Sequence, residues 1–306
     1  MLFRGAVLVL AAAGVLSPPR DAAAQAAIAS DLWQVAAGTL VVPPPLADDG
    51  SAALWTPAVV LPRPDPPVRL GIEAVHAPSD GGISGGIATL GIRLGGAGTL
   101  NAVYGRLGVD GLVRTETSPE GIGGDIPVFA EVMSLGFARA LTPDLVAGVA
   151  LRSVAGQLDT QARTQLGVDL GLRYTDPAHV TVAFATRFFD PTFRQAQQAA
   201  SYSLAAAYHT LPSPMWGTSG VISLRYGGTA SRGESLQHLL SAGLALGGAV
   251  DFDIGEVREA TAGTEVWRNR LGLGLTVGHY RVYLGRDGGV NAFGATYRFG
   301  LTAGLQ

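Results

Sequence analysis

Between Val68 and Leu301 the chain is written in short stretches of period two, separated by turn residues. In 165–174 one face reads Leu166, Val168, Leu170, Leu172 and Tyr174, and the other reads Gln165, Gly167, Asp169, Gly171 and Arg173. In 290–301, Phe293, Ala295, Tyr297, Phe299 and Leu301 alternate with Gly294, Thr296 and Arg298. The segments 180–188 and 267–278 follow the same rule. Alternation of this kind makes each segment a strand with one apolar face. The pattern predicts fourteen strands, at 68–74, 83–94, 99–114, 128–140, 145–156, 164–175, 179–188, 200–210, 217–226, 236–246, 249–257, 266–277, 280–284 and 290–301. Short connections, such as Gly95-Gly96 and Gly247-Gly248, alternate with long ones, such as 115–127 and 189–199.

The second face of these strands decides the architecture. A soluble sandwich would carry Lys, Glu and Thr there, pointing at water. This chain carries Gly, Ala, Ser and isolated cations: Arg93, Arg152, Arg173, Arg187, Arg225, Arg268, Arg270 and Arg298 all oppose an apolar face, as does Asp169. An Arg facing lipid at mid-depth costs roughly 2–4 kcal/mol, so a membrane barrel keeps such residues in its lumen. The expected fold is all-β, a transmembrane antiparallel barrel of about fourteen strands with short periplasmic turns and longer outer loops. Glu131 departs from the rule, on the same side as Phe129 and Met133, and is expected at headgroup depth. A hairpin centred near Thr160-Gln161 would set Arg152 directly opposite Asp169.

Composition agrees. Apolar residues make up 47% of the chain and charged ones only 15%, against about 25% in a soluble domain. Mean hydropathy is +0.29, yet no apolar run approaches the ~20 residues of a membrane helix. With 43 Gly and 18 Pro, long helices are disfavoured. The net charge of -3 excludes a nucleic-acid binder, and the absence of Cys excludes disulfides, thiolate metal sites and Cys nucleophiles. Residues 1–24 read as a cleaved signal peptide, with a basic start, an apolar stretch from Gly5 to Leu16 and the small residues Ala22-Ala23-Ala24. Export places the barrel, at 68–301, in a bacterial outer membrane, with outer-membrane lipid as its surroundings. Residues 302–306 are expected as a short tail, with Tyr297 and Phe299 facing lipid in the last strand.

Residues 25–67 have no sustained alternation. They hold Pro43-Pro44-Pro45, Asp48-Asp49 and five Pro from Pro57 to Pro67. A polar, Pro-rich segment cannot face lipid, because its backbone groups would stay unpaired. It is therefore expected inside the barrel as a plug, with Trp55 against the inner wall.

No catalytic or metal constellation stands out. Gly82-Ile83-Ser84-Gly85-Gly86 matches a nucleophile elbow in letters, but a strand follows where that motif needs a helix. The five His are scattered without ligand spacing. Asp251 and Asp253 are read as partners of Arg268 and Arg270 on the next strand rather than as calcium ligands. Trp216, Trp267, Tyr202, Tyr208 and Tyr283 are read as interfacial girdle. No cofactor and no enzyme activity are expected.

The segment from Leu46 through Asp48, Asp49, Trp55 and Pro57 to Ala58 resembles the N-terminal motif of the FadL-like outer-membrane proteins. Those carry an acidic pair, small residues, an aromatic and then Asn-Pro-Ala-Gly; here Thr56 and Val59 replace the Asn and Gly. The run Ser134–Arg139 through Leu141–Leu145 also resembles a strand–turn–strand of that family. The resemblance implies a fourteen-stranded barrel with an inward plug. It also implies passage of small hydrophobic molecules through the barrel. The family's PorV-like members imply an alternative, docking of secreted protein or of a secretion-complex partner.

Overall fold

Every segment with a clear alternation becomes a strand, and the strands close on themselves. The computed structural model describes residues 27–61, 64–78, 82–113, 124–176, 179–187, 200–231, 236–261, 264–289 and 294–305. The strands are β1 Val68–Ala77, β2 Ile83–Arg93, β3 Thr99–Val109, β4 Val128–Ala140, β5 Leu145–Leu158, β6 Gln161–Thr175, β7 Val180–Arg187 and β8 Ser201–His209. They continue as β9 Ser213–Met215, β10 Thr218–Ser231, β11 Gln237–Leu246, β12 Val250–Thr261, β13 Thr264–Val277, β14 Tyr280–Asp287 and β15 Thr296–Leu305. All pairings are antiparallel, and β15 returns to β1 with Val68 opposite Leu305, which removes both sheet edges.

The fifteen segments make a fourteen-stranded wall. β9 continues β8 after a bulge: His209 faces Ser223 and Ser213 faces Gly220. Three residues, 210–212, thus span the interval that two, 221 and 222, span on β10, leaving one extra residue. Pro212 has no N–H to give to a ladder, so the bulge falls where the sequence cannot pair.

Apolar side chains point outward along each strand, from Ile72 and Leu135 to Leu166 and Phe299, and small or polar ones point inward. No helix is long and apolar enough to cross a membrane among the described residues. Glu131 does face outward, where the Tyr104 hydroxyl donates to it at 2.6 Å and Arg106 is its cross-strand partner. Arg106 also faces outward, stacked 4.1 Å above the Phe129 ring.

Several expected boundaries move. β1 runs on to Ala77, β14 runs on to Asp287, and β3 ends at Val109, short of 114. β15 begins at Thr296 and continues to Leu305, so residues 302–305 are strand paired to β1 rather than a tail. Tyr283 faces the lumen instead of joining a girdle, because Val282 and Leu284 hold the outward positions of β14. The expected signal peptide, residues 1–24, lies outside the described residues.

Residues 27–61 lie within the barrel as α1 Ala27–Gly38, a 3-10 turn Pro44–Leu46, α2 Ala52–Trp55 and irregular chain between them. Trp33, Leu40, Val41, Leu54 and Trp55 are all buried, and α1 packs on β4 and β5.

The outward face sets a direct test. Leu151, 66% exposed in the middle of β5, meets lipid, while its neighbour Arg152 is buried inside. Leu151→Arg is expected to cost roughly 2–4 kcal/mol of folding free energy in bilayers, measured by denaturant titration of the folded band.

Candidate functional site

The irregular chain of residues 39–61 has many carbonyls that no helix or strand satisfies, and the wall supplies their donors. Arg270 Nη1 donates to Leu40 O at 2.8 Å. Arg173 Nη2 reaches both Pro45 O, at 3.0 Å, and Ala47 O, at 2.9 Å. Thr89 Oγ1 donates to Gly50 O at 2.6 Å, Arg152 Nη2 to Leu54 O at 2.9 Å, and Asn101 Nδ2 to Val59 O at 3.0 Å. In return, Leu61 N–H donates to Thr99 Oγ1 at 3.0 Å. Seven bonds from five strands thus fasten the plug around its girth.

Glycine makes the approach close enough. Gly148 and Gly171 face each other across β5 and β6. A Cβ at Gly148 would stand 2.1 Å from Pro57 O, and one at Gly171 would stand 2.7 Å from Ala58 N. Trp33 fills the place of a side chain at Gly105, and Pro43 does so at Gly227. The inward Gly in the alternation is therefore the imprint of the plug.

Charge is paired throughout. Arg298 is fully buried and donates through Nε to Glu73 at 2.7 Å and through Nη2 to Asp49 at 2.7 Å. Ser51 N–H donates to the same Glu73 at 2.9 Å, and Trp55 Nε1 donates to Ser51 Oγ at 2.7 Å. The Trp55 ring lies 5.2 Å beneath the Arg187 guanidinium. Asp49, Trp55 and Pro57 are therefore joined to the wall, whereas the Asp48 carboxylate is 70% exposed and 3.9 Å from Arg281. A buried pair that loses one partner leaves an uncompensated charge, which costs far more than the pair contributes.

Some partners differ from expectation. Asp251 pairs with Arg281 of β14 at 3.1 Å and Asp253 with Arg225 of β10 at 2.6 Å, each two strands away across the inner face. Arg268 pairs with Glu259 and Asp287, and Arg270 with Asp287 at 2.9 Å. Arg93 lies half-buried on the inner face near the short-turn end. The β5–β6 hairpin turns at Asp159-Thr160, with Asp159 at φ 54, so Asp169 faces Ala150 and Arg152 faces Gly167. Arg152 and Asp169 still form a fully buried ion pair, diagonally rather than directly across. Glu73, Thr89, Asn101, Glu259 and Asp287 hold the plug or its clamps and were not singled out in the sequence. Glu73 and Asp287 do lie on the inward side of their strands, and that parity is readable.

The lumen has two characters. On β1 to β4, Val75, Ala77, Ile83, Ile87, Val103, Leu107, Val128, Ala130 and Val132 form an apolar wall facing Leu32, Trp33 and Ala36 of α1. The opposite side, from β5 around to β15, carries most of the inward arginines, Arg93 of β2 lying at the short-turn end. At the short-turn end, a cavity of about 300 Å³ opens between the plug and Asp48, His209, Arg225, Asp251 and Arg281. No group of three His, Asp or Glu close enough to hold a metal occurs among the described residues.

Two measurements test the plug. Gly148→Val and Gly171→Val should displace Pro57 and Ala58, each costing roughly 1–3 kcal/mol and raising single-channel conductance. Gly96→Val, in a turn with open space around it, should leave conductance unchanged. Arg152→Ala, which removes the ion-pair partner of Asp169, is expected to destabilise by about 3–5 kcal/mol. Arg152→Ala combined with Asp169→Ala should recover part of that loss in the same denaturation assay.

No protein-family model and no curated protein sequence matches this chain. Solved structures do. The toluene transporter TbuX of Ralstonia pickettii superposes with a TM-score of 0.54 at 11% identity, over 84% of this chain and 94% of its own. The toluene transporter TodX of P. putida superposes with a TM-score of 0.51 at 11% identity, over 85% of this chain and 95% of its own. At such identity the likeness speaks for architecture alone, and it agrees with the closed wall. The chain has the fold of the FadL-like outer-membrane barrels.

Proposed function

We propose that this barrel is a non-enzymatic outer-membrane passage for small, uncharged hydrophobic molecules, delivered to its membrane by a cleaved signal peptide at 1–24. The apolar wall of β1 to β4 carries the reading. From Val75 through Leu107 to Val132 it presents no charged side chain to α1. An apolar molecule gains there by burial, at about 25 cal/mol per Å². A carboxylate would find no cation on that apolar wall, and Arg152, Arg173, Arg270 and Arg298 are engaged with plug carbonyls or carboxylates. A buried charge without a partner is strongly disfavoured. TbuX and TodX, whose fold this chain shares, transport toluene, which is apolar and uncharged.

Ser84 lends no support to catalysis: its hydroxyl donates to Asp110 on the outer face at 2.6 Å. The alternative of docking secreted cargo would use the outer loops, and 114–123 and 188–199 lie outside the described residues.

Uptake by cells or vesicles bearing the barrel tests the proposal. Labelled toluene should enter several-fold faster than into controls, and benzoate should show no such gain. Val132→Asp should reduce toluene entry about tenfold, since an unpaired carboxylate would stand in the apolar wall. Equal uptake of toluene and benzoate would refute the uncharged-substrate reading. Capture of a secreted protein without any uptake would favour docking.

A further inference from the structure

The hairpin joining β8 and β10 differs from every other described connection at the short-turn end. The bulge at 210–212 lets β9 run on beyond β8, so this hairpin projects past its neighbours, the β6–β7 and β11–β12 turns. Its tip is Trp216-Gly217, with φ of 47 and 79. A two-residue turn with both φ positive favours Asn-Gly, and a bulky residue in that position is costly. Asn would give the same turn without the penalty, so what this position supplies is the indole. Trp216 is 82% exposed, the highest value among the large apolar residues of the described chain, and Leu211 is 67% exposed.

The surface around it identifies what covers it. Leu204, Tyr208 and Leu211 on one strand, with Leu224 and Ile222 on the other, continue the lipid-facing band down to the hairpin. Met215 then lies across Gly220, where a Cβ would stand 2.3 Å from its sulfur, and so extends the apolar face without a gap. Residues 210–220 carry no charge, only hydroxyls of Thr and Ser beside the apolar groups. A strand advances about 3.3 Å per residue and tilts by roughly 40°, so Tyr202 to Trp216, less the one bulged residue, spans about 33 Å along the barrel axis. The apolar band of such barrels is about 25 Å tall. Trp216 therefore stands just past the hydrocarbon, at the depth where an indole can bury its ring and keep its N–H wet.

We infer that the 210–217 hairpin is a membrane anchor that seats Trp216 among the phospholipid headgroups of the periplasmic leaflet. It holds one side of the barrel, β8 to β10, deeper than the rest. The inference rests on the outer-membrane reading, and Trp267 separates the two. That residue faces outward on β13, far from the hairpin, whereas Trp33 and Trp55 are enclosed in the lumen.

The full chain is reconstituted into phosphatidylcholine bilayers carrying bromine either high on the acyl chain, near the headgroup, or near the chain end. In W267F, the emission that disappears on adding W216F is that of Trp216. It should be quenched at least twofold more by shallow bromine than by deep bromine, and little by aqueous iodide. Quenching by iodide with no effect of bromine would overturn the anchor and leave a water-exposed tip. Stronger quenching by deep bromine would overturn it as well. W216F, which keeps Trp267, reports insertion independently; if neither bromine position quenches it, the membrane reading fails first and the anchor with it.

Discussion

The structure turns on backbone carbonyls that have nowhere else to go. A plug of about one helix and two short turns, stiffened by Pro43, Pro44, Pro45 and Pro57, cannot satisfy its own peptide groups. Buried in the lumen, each unsatisfied group would cost free energy. Arginine is suited to the task because its planar fork offers several donors on a long stem and stays charged when buried. Arg152, Arg173, Arg270 and Arg298 each reach across to the plug while holding or approaching a carboxylate. The carboxylates Asp49, Glu73, Asp169 and Asp287 are thus the counter-charges of those clamps, and the inward glycines give the plug room to come within reach.

That division of labour accounts for the two halves of the lumen. Where the plug is irregular, the wall is polar and its charges are neutralised in pairs. Where the plug is α1, whose peptide groups are satisfied within the helix, the wall asks for no donors and is built from Val, Ile, Leu and Ala. The secondary structure of the plug therefore dictates the chemistry of the wall opposite, and the apolar sector proposed as the passage exists because a helix lies there.

What was legible in the sequence is local, and what was hidden depends on register or on partners far along the chain. Alternation named the strands, the inward arginines and the outward Tyr297 and Phe299, since side-chain direction follows from parity alone. Parity would also have put Tyr283 inside, between Val282 and Leu284. Turn centres were less secure. Placing the β5–β6 turn one residue late moved every facing pair by two, and only the length of the arginine side chain kept Arg152 within reach of Asp169. The acidic pair, Trp55 and Pro57 marked the plug, but the wall residues that hold this segment, Glu73, Asn101 and Arg298, lie up to 249 residues from the plug groups they bind. No spacing rule reports such contacts. Pro212 and Pro214 break the alternation, but that they sit in a bulge with a continued strand beyond it follows only from the register.

The clamps have a consequence for how the molecule comes into being. They come from β2 and β3 near the start of the sheet, from β5 and β6 in its first half, and from β13 and β15 at its end. These strands surround one space only after β15 has met β1. Single bonds can form to one strand or a neighbouring pair, but the full set, from β2 to β15, becomes available only at the moment of closure. Pairing residues some 230 positions apart is the slowest kind of contact for a chain to find. A segment that binds both ends of the sheet at once lowers the free energy of the state in which they meet. The same stretch that fills the finished lumen is, during assembly, a mandrel that favours closure of the wall around it.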